Sequence, residues 1–329
     1  MSPSRRLPSG VRVAIAAATA VVAFFGWPAP NASAFSILNH EMITRNALPP
    51  DQVDEVSMFQ ILVGPPPGGG AMGSDAFPTE EFRHIDNAKN PTEVCARGHQ
   101  AWNTFSPVLL SGSQVSGNGL TNGPGARAAF GALLHSLQDF YAHSNWVEDN
   151  IAAGDLNRIA PSIFPTCNPA SFPSNLHTGY FSLQYGIAGC PPGGPPPGFQ
   201  ECHSTLNKDS ATEPEGSKAV PGTNMNMFDL AAQLATTAST SMYQQLRDLV
   251  ASTNGQDAAT CLFQSGQPQC GGSGSGPALP YSSAPAMPAI PGVPDVHELL
   301  APAPSAATGP SAPAGPTASS SDGLQPPPS

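Results

Sequence analysis

Residues 131–148, GALLHSLQDFYAHSNWVE, set His135, Asp139 and His143 at four-residue intervals in a run otherwise rich in Leu, Phe, Ala and Tyr. A helix turns about 100° per residue, so the three side chains spread over roughly 80° of arc and about 12 Å of axis. They therefore share one face, and that face reads as buried. An unpaired carboxylate beside Leu134, Leu137 and Phe140 is costly, and a metal ion removes the cost. The end histidines are too far apart to share one ion, while Asp139 between them can bridge two. Imidazole and carboxylate are ligands that zinc uses in hydrolytic sites. The competing reading is a helix with core histidines satisfied by hydrogen bonds, and this one stretch does not decide between them.

The rest of the folded part also reads as helical. ILNHEMITRNAL has helical periodicity and stops at Pro49-Pro50. DQVDEVSMFQILVG is a second helix, with Asp51 as its cap. TEVCARGHQAWNTF is a third. Pro124 can open the helix of the opening stretch, which is expected to run to about Glu148. Residues 160–225, rich in Pro, Gly, Ser and Cys, read as a long irregular excursion. A last helix, about 226–252, stripes Leu230, Leu234, Met242, Leu246 and Val250 along one core face. No stretch alternates as a strand does.

The two ends are different in kind. Arg5, Arg6 and Arg12 precede the apolar run VAIAAATAVVAFFGW and a small-residue site at Ala32-Ser33-Ala34. This is the pattern of a secretory signal, with cleavage expected after Ala34 and Phe35 as the new N-terminus. From Gly271 the chain turns to Gly, Ser, Pro and Ala, with few residues able to build a core. The expected organisation is thus a signal peptide at 1–34, a helical metal-binding domain at 35–270 and a disordered tail at 271–329. Six cysteines in an exported chain favour disulfides, with Cys190–Cys202 and Cys261–Cys270 as the shortest loops. Removing the signal lowers Lys+Arg from 12 to 9 against 23 Asp+Glu, a formal charge of −14. Such a balance disfavours capture of long nucleic acid or anionic membranes.

Other ligand types are scattered along the chain. FRHIDNA carries His84 and Asp86, FSILNH ends at His40, and ECHSTLNKDS offers His203 and Asp209. The stretch LLHSLQDFYAHSNWVE, with HID at 84–86, NKDS at 207–210 and HTGYF at 177–181, resembles the Het-C (heterokaryon incompatibility) family. That family has relatives in bacteria and in the N-terminal part of some von Willebrand A-domain proteins. More distantly, the pattern is similar to the zinc-dependent phospholipase C and single-strand nuclease superfamily.

This resemblance implies an all-α multi-helix bundle of the phospholipase C/nuclease type, with disulfide-pinned loops, holding two or three Zn2+ ions. It implies metal ligands at Phe35 (through its free α-amine), His40, Asp75, His84, His135, Asp139, His143 and His203. Asp139 would be the bridging, catalytically essential carboxylate, and Asp86, Asn145 and Asp209 would support the ligands. The implied activity is hydrolysis of a phospholipid or small phosphodiester by a secreted enzyme. The alternative is a secreted interaction or toxin-like protein whose metals only hold helices together.

Overall fold

The computed structural model describes residues 37–117 and 119–270. Phe35, the expected signal peptide and the expected tail lie outside them. The fold is mostly helical. In chain order the helices are α1 (Ile37–Ala47), α2 (Glu55–Leu62), α3 (Gly70–Gly73), α4 (Glu81–His84), α5 (Pro91–Gly112), α6 (Gly123–His143), α7 (Trp146–Ala153), α8 (His203–Leu206), α9 (Met227–Asn254) and α10 (Gln256–Phe263). The described strands are two-residue segments, Val115–Ser116 and Gly119–Leu120, paired antiparallel.

Helix α6 is the axis of the bundle. Asn122 caps it by accepting from the Gly125 amide at 3.1 Å, and Pro124 sits in its first turn. Every residue from Gly125 to His143 is buried, so this helix has no solvent face. Small residues make that possible. A Cβ on Gly131 would stand 1.9 Å from the Ile61 carbonyl oxygen, so α2 reaches α6 only because position 131 is glycine. Helices α2, α3, α4, α5 and α9 pack around it.

Two sequence expectations are corrected at helix ends. The cap of α2 is Asp54, whose carboxylate accepts from the Ser57 amide at 2.7 Å, and not Asp51. Helix α6 stops at His143 instead of continuing to Glu148, because Ser144 is extended (φ −102°, ψ 163°), and α7 restarts at Trp146. The four-residue helices α3, α4 and α8 went unanticipated, and so did α10. Helix α10 is held from α6 by Arg127, whose guanidinium donates to the Leu262 carbonyl at 2.6 Å and to Gln60 at 2.8 Å.

Three disulfides join the six cysteines: Cys95–Cys167, Cys190–Cys202 and Cys261–Cys270. The first ties α5 to the irregular excursion. The second closes on the residue before His203. Among the described residues, no helix is long and apolar enough to cross a membrane.

Candidate metal centre

The last three turns of α6 present His135, Asp139 and His143 inward, all fully buried. Around the first two stand His40 from α1, Asp75 from the turn after α3, and His84 at the end of α4. The Asp139 carboxylate divides its oxygens between them. Oδ1 faces His40 Nε2 at 3.2 Å, and Oδ2 faces His84 Nδ1 and His135 Nε2, each at 2.9 Å. A carboxylate whose two oxygens look at different imidazoles is disposed to bridge two ions.

The imidazoles are oriented from behind. His40 Nδ1 donates to Gln138 Oε1 at 2.7 Å, and the Gln138 amide nitrogen donates to Thr44 and Ser239 hydroxyls. His135 Nδ1 donates to the Ala71 carbonyl at 2.7 Å. Each bond places the proton on Nδ1 and leaves Nε2 as the lone-pair nitrogen facing the cluster. With one ligand nitrogen, His135 serves a single ion. Gln138 was not anticipated from sequence, although a long polar side chain beside Asp139 on a fully buried helix is a signal for it.

A second cluster lies one turn further on. His143 Nε2 is 3.0 Å from Asp209 Oδ1, and His143 Nδ1 is 3.3 Å from Asp86 Oδ1. His203 Nδ1 also stands 3.3 Å from Asp86 Oδ1. Ligand atoms of Asp86, His143 and His203 lie within 4.8 Å of one another, as do those of Asp75, His84 and His135 and those of His40, His135 and Asp139. Asp86, expected in support, therefore stands in a candidate ligand group itself, while Asp209 faces His143 Nε2.

Two local devices aim these side chains. Ile85 lies between His84 and Asp86 in the left-handed region, at φ 52°. That turn ends α4 and sends His84 to the first cluster and Asp86 to the second. The segment 177–180 then laces the second cluster together through backbone bonds. Thr178 N donates to Ala88 O (2.8 Å), Gly179 N to His143 O (3.0 Å), Tyr180 N to Glu201 O (2.9 Å), and His203 N to Tyr180 O (2.9 Å). A Cβ on Gly179 would stand 2.5 Å from His203 Cα, so the close approach requires glycine.

Asn145 is not in either cluster. Its carbonyl oxygen accepts from the His177 amide at 2.9 Å and its amide group donates to the Asn175 carbonyl at 3.2 Å. Its side chain holds the 175–180 segment. His177 Nδ1 donates to the Asn175 carbonyl, away from the ligands. Glu148 accepts from buried Lys208 at 2.9 Å.

The electrostatics ask for a cation. Burial pushes the Asp75 carboxyl up to about 7, and neither of its buried oxygens has a hydrogen-bond donor. Asp209 Oδ2 and His84 Nε2 are buried without partners too. Burial opposes ionisation of Asp139, yet His135, His143 and His40 hold it well below the usual carboxylate range. Burial holds His135 down to about 3. Burial would lower His143 as well, but Asp209 and Asp86 lift it well above its ordinary value. Unpaired buried carboxylate oxygens facing lone-pair nitrogens, with no thiolate in the set, fit a divalent metal of the zinc type.

A cleft of about 250 Å³ adjoins the second cluster. Asp86 forms part of its wall, with Pro78, Glu81, Asn87, Phe181 and Leu183 among the others.

Comparison with known proteins bears on the same helix. Residues 113–162 match the family model of the VWA7 N-terminal domain. Human von Willebrand factor A domain-containing protein 7 is 34% identical over 140 residues, covering 37% of this chain and 16% of the human protein. The chain thus spans about a sixth of that relative's length. No solved structure matches. These findings overturn the resemblance to the Het-C family and to the phospholipase C and nuclease superfamily. The matched segment contains HSLQDFYAHSNWVE itself, so the motif that suggested those families lies inside the VWA7 N-terminal match.

Proposed function

We propose that this chain is a zinc-dependent hydrolase of small phosphoesters that works in an oxidising, extracytoplasmic setting. The observation that carries the reading is the conjunction of a carboxylate shared between imidazole sets with a cleft opening onto Asp86. Sites in which protein ligands close around the metal are structural, whereas catalytic ones keep an approach for substrate. Divalent ions held by Asp139 and its imidazoles would supply Lewis acidity and a lowered water pKa for displacement at phosphorus.

The chain's own residues fix what can enter. Among the described residues lining the cleft there is no Lys or Arg. The charge of Glu81 is taken up by Arg97 and by the Asn87 amide at 2.8 Å. Nothing in the cleft repeats phosphate contacts as a nucleic-acid groove must. At about 250 Å³ it lies below the range for drug-sized ligands, about 300–1,000 Å³. A phospholipid headgroup or a small phosphodiester suits it. Three disulfides with no free cysteine support the oxidising setting.

A second reading, a non-enzymatic interaction protein with structural metals, is favoured by the complete burial of His40, His135 and Asp139. The test compares zinc-loaded and metal-stripped protein on bis(p-nitrophenyl) phosphate, phosphatidylcholine vesicles and single-stranded DNA. We expect metal-dependent turnover of one of the first two substrates, reduced at least ~100-fold by Asp139→Asn. Full zinc uptake with no turnover of any substrate would favour the structural reading.

A further inference from the structure

We propose that Lys208 is the positioning residue of the second cluster, pinning the His143 end of α6 to the segment that carries His203 and Asp209. The inference rests on the reading that this cluster holds a divalent cation.

Lys208 is fully buried, and its ammonium uses three donors. It donates to the Ser144 carbonyl at 3.0 Å, the Leu206 carbonyl at 2.8 Å and Glu148 Oε1 at 2.9 Å. Its own backbone N–H donates to the Ala142 carbonyl at 3.1 Å. Ala142 and Ser144 flank His143, while Leu206 lies between His203 and Asp209. One residue therefore joins both sides of the cluster by main chain and side chain together, beside Asp209 Oδ1 at 3.0 Å from His143 Nε2.

An ammonium suits this place for a geometric reason. The extended exit of α6 at Ser144 turns a carbonyl inward, and the end of α8 at Leu206 does the same. Two buried carbonyls and a carboxylate converge on one point, and only a group with three diverging protons serves all of them. Glu148 cancels the charge, so the tether adds no net positive field beside a cation site. Partners that orient metal ligands from behind contribute about 10–100-fold to metal affinity.

The experiment is a Zn2+ titration of metal-stripped full-length chain against a chromophoric chelator, with Co2+ absorption as the signature of coordination. His143→Ala identifies which binding step belongs to the second cluster. Lys208→Met, similar in length but without donors, is expected to weaken that step about 10–100-fold and leave the first cluster's step in place. Glu148→Gln keeps an acceptor for the ammonium and is expected to bind within threefold of wild type. Glu148→Ala removes the third anchor and is expected to lose more than threefold, which keeps the proposal testable if Lys208→Met does not fold. A folded Lys208→Met variant with wild-type affinity and cobalt spectrum overturns the inference alone, as does a Glu148→Ala variant indistinguishable from Glu148→Gln. Wild-type protein showing no binding step that His143→Ala removes overturns the metal reading, and this inference with it.

Discussion

Between His84 and Asp86 the backbone passes through Ile85 at φ 52°, a conformation that costs a β-branched residue about 1–3 kcal/mol. Its side chain is fully buried, so core packing holds the turn against that strain. Two candidate ligands two residues apart are thereby sent to two different clusters, whereas an extended HID segment would set both on one face. Gly179 plays the complementary part on the other side. Its missing Cβ lets the 177–180 segment lie against the His203 backbone, because a Cβ there would stand only 2.5 Å from His203 Cα. Gly179→Ala should push the His203 backbone away, destabilise the fold by about 1–3 kcal/mol and cost the second cluster its metal. Denaturant unfolding and metal analysis check this, and an unchanged variant would mean that the strap does not set His203.

At the scale of elements, much of the helical framework was legible in the sequence. Apolar periodicity outlines α1, α5 and α9, and the steps of four in the α6 run put His135, Asp139 and His143 on one face. What could not be read were features settled by contacts distant in sequence. The end of α6 is fixed by bonds from Asn145 to His177 and from Lys208 to Ser144, with no proline or glycine to mark it. The cap of α2 fell to Asp54 over Asp51 because Asp54 also accepts from Gly266 at 2.8 Å, some two hundred residues away. The residues His40, Asp75, His84 and His203, which the structure brings to the two clusters, could be named from the sequence. The orienting partners Gln138 and the Ala71 carbonyl could not, since a backbone acceptor leaves no trace in residue identity. Family was where local reading failed: the motif of about fourteen residues read as Het-C-like lies inside the segment that matches the VWA7 N-terminal domain.

The whole molecule is acidic, and its buried centre concentrates that charge around imidazoles. Burial alone would lower the His40 imidazole, yet Asp139 at 3.2 Å, with Asp75 beyond, lifts it to about 9. Without metal, this pairing stabilises the fold fully below the ordinary imidazole value of 6.5 and is lost as pH rises through about 9. A metal ion takes the same nitrogen and expels its proton, so binding strengthens as pH rises. The stabilisation given by saturating Zn2+ should therefore be larger at about pH 8 than at about pH 6, read as the shift in thermal midpoint at each pH. The opposite order would exclude His40 as a ligand.

The central claim is that the five imidazoles and their carboxylates exist to hold metal ions, with Asp139 shared. The most direct measurement is metal content per chain, by elemental analysis after exposure to Zn2+ and desalting, for wild type and for Asp139→Asn. The account predicts about two or more ions per wild-type chain and the loss of at least one in Asp139→Asn with helical content retained. A wild-type chain that is folded and free of metal, or an Asp139→Asn chain holding as many ions as wild type, would contradict it.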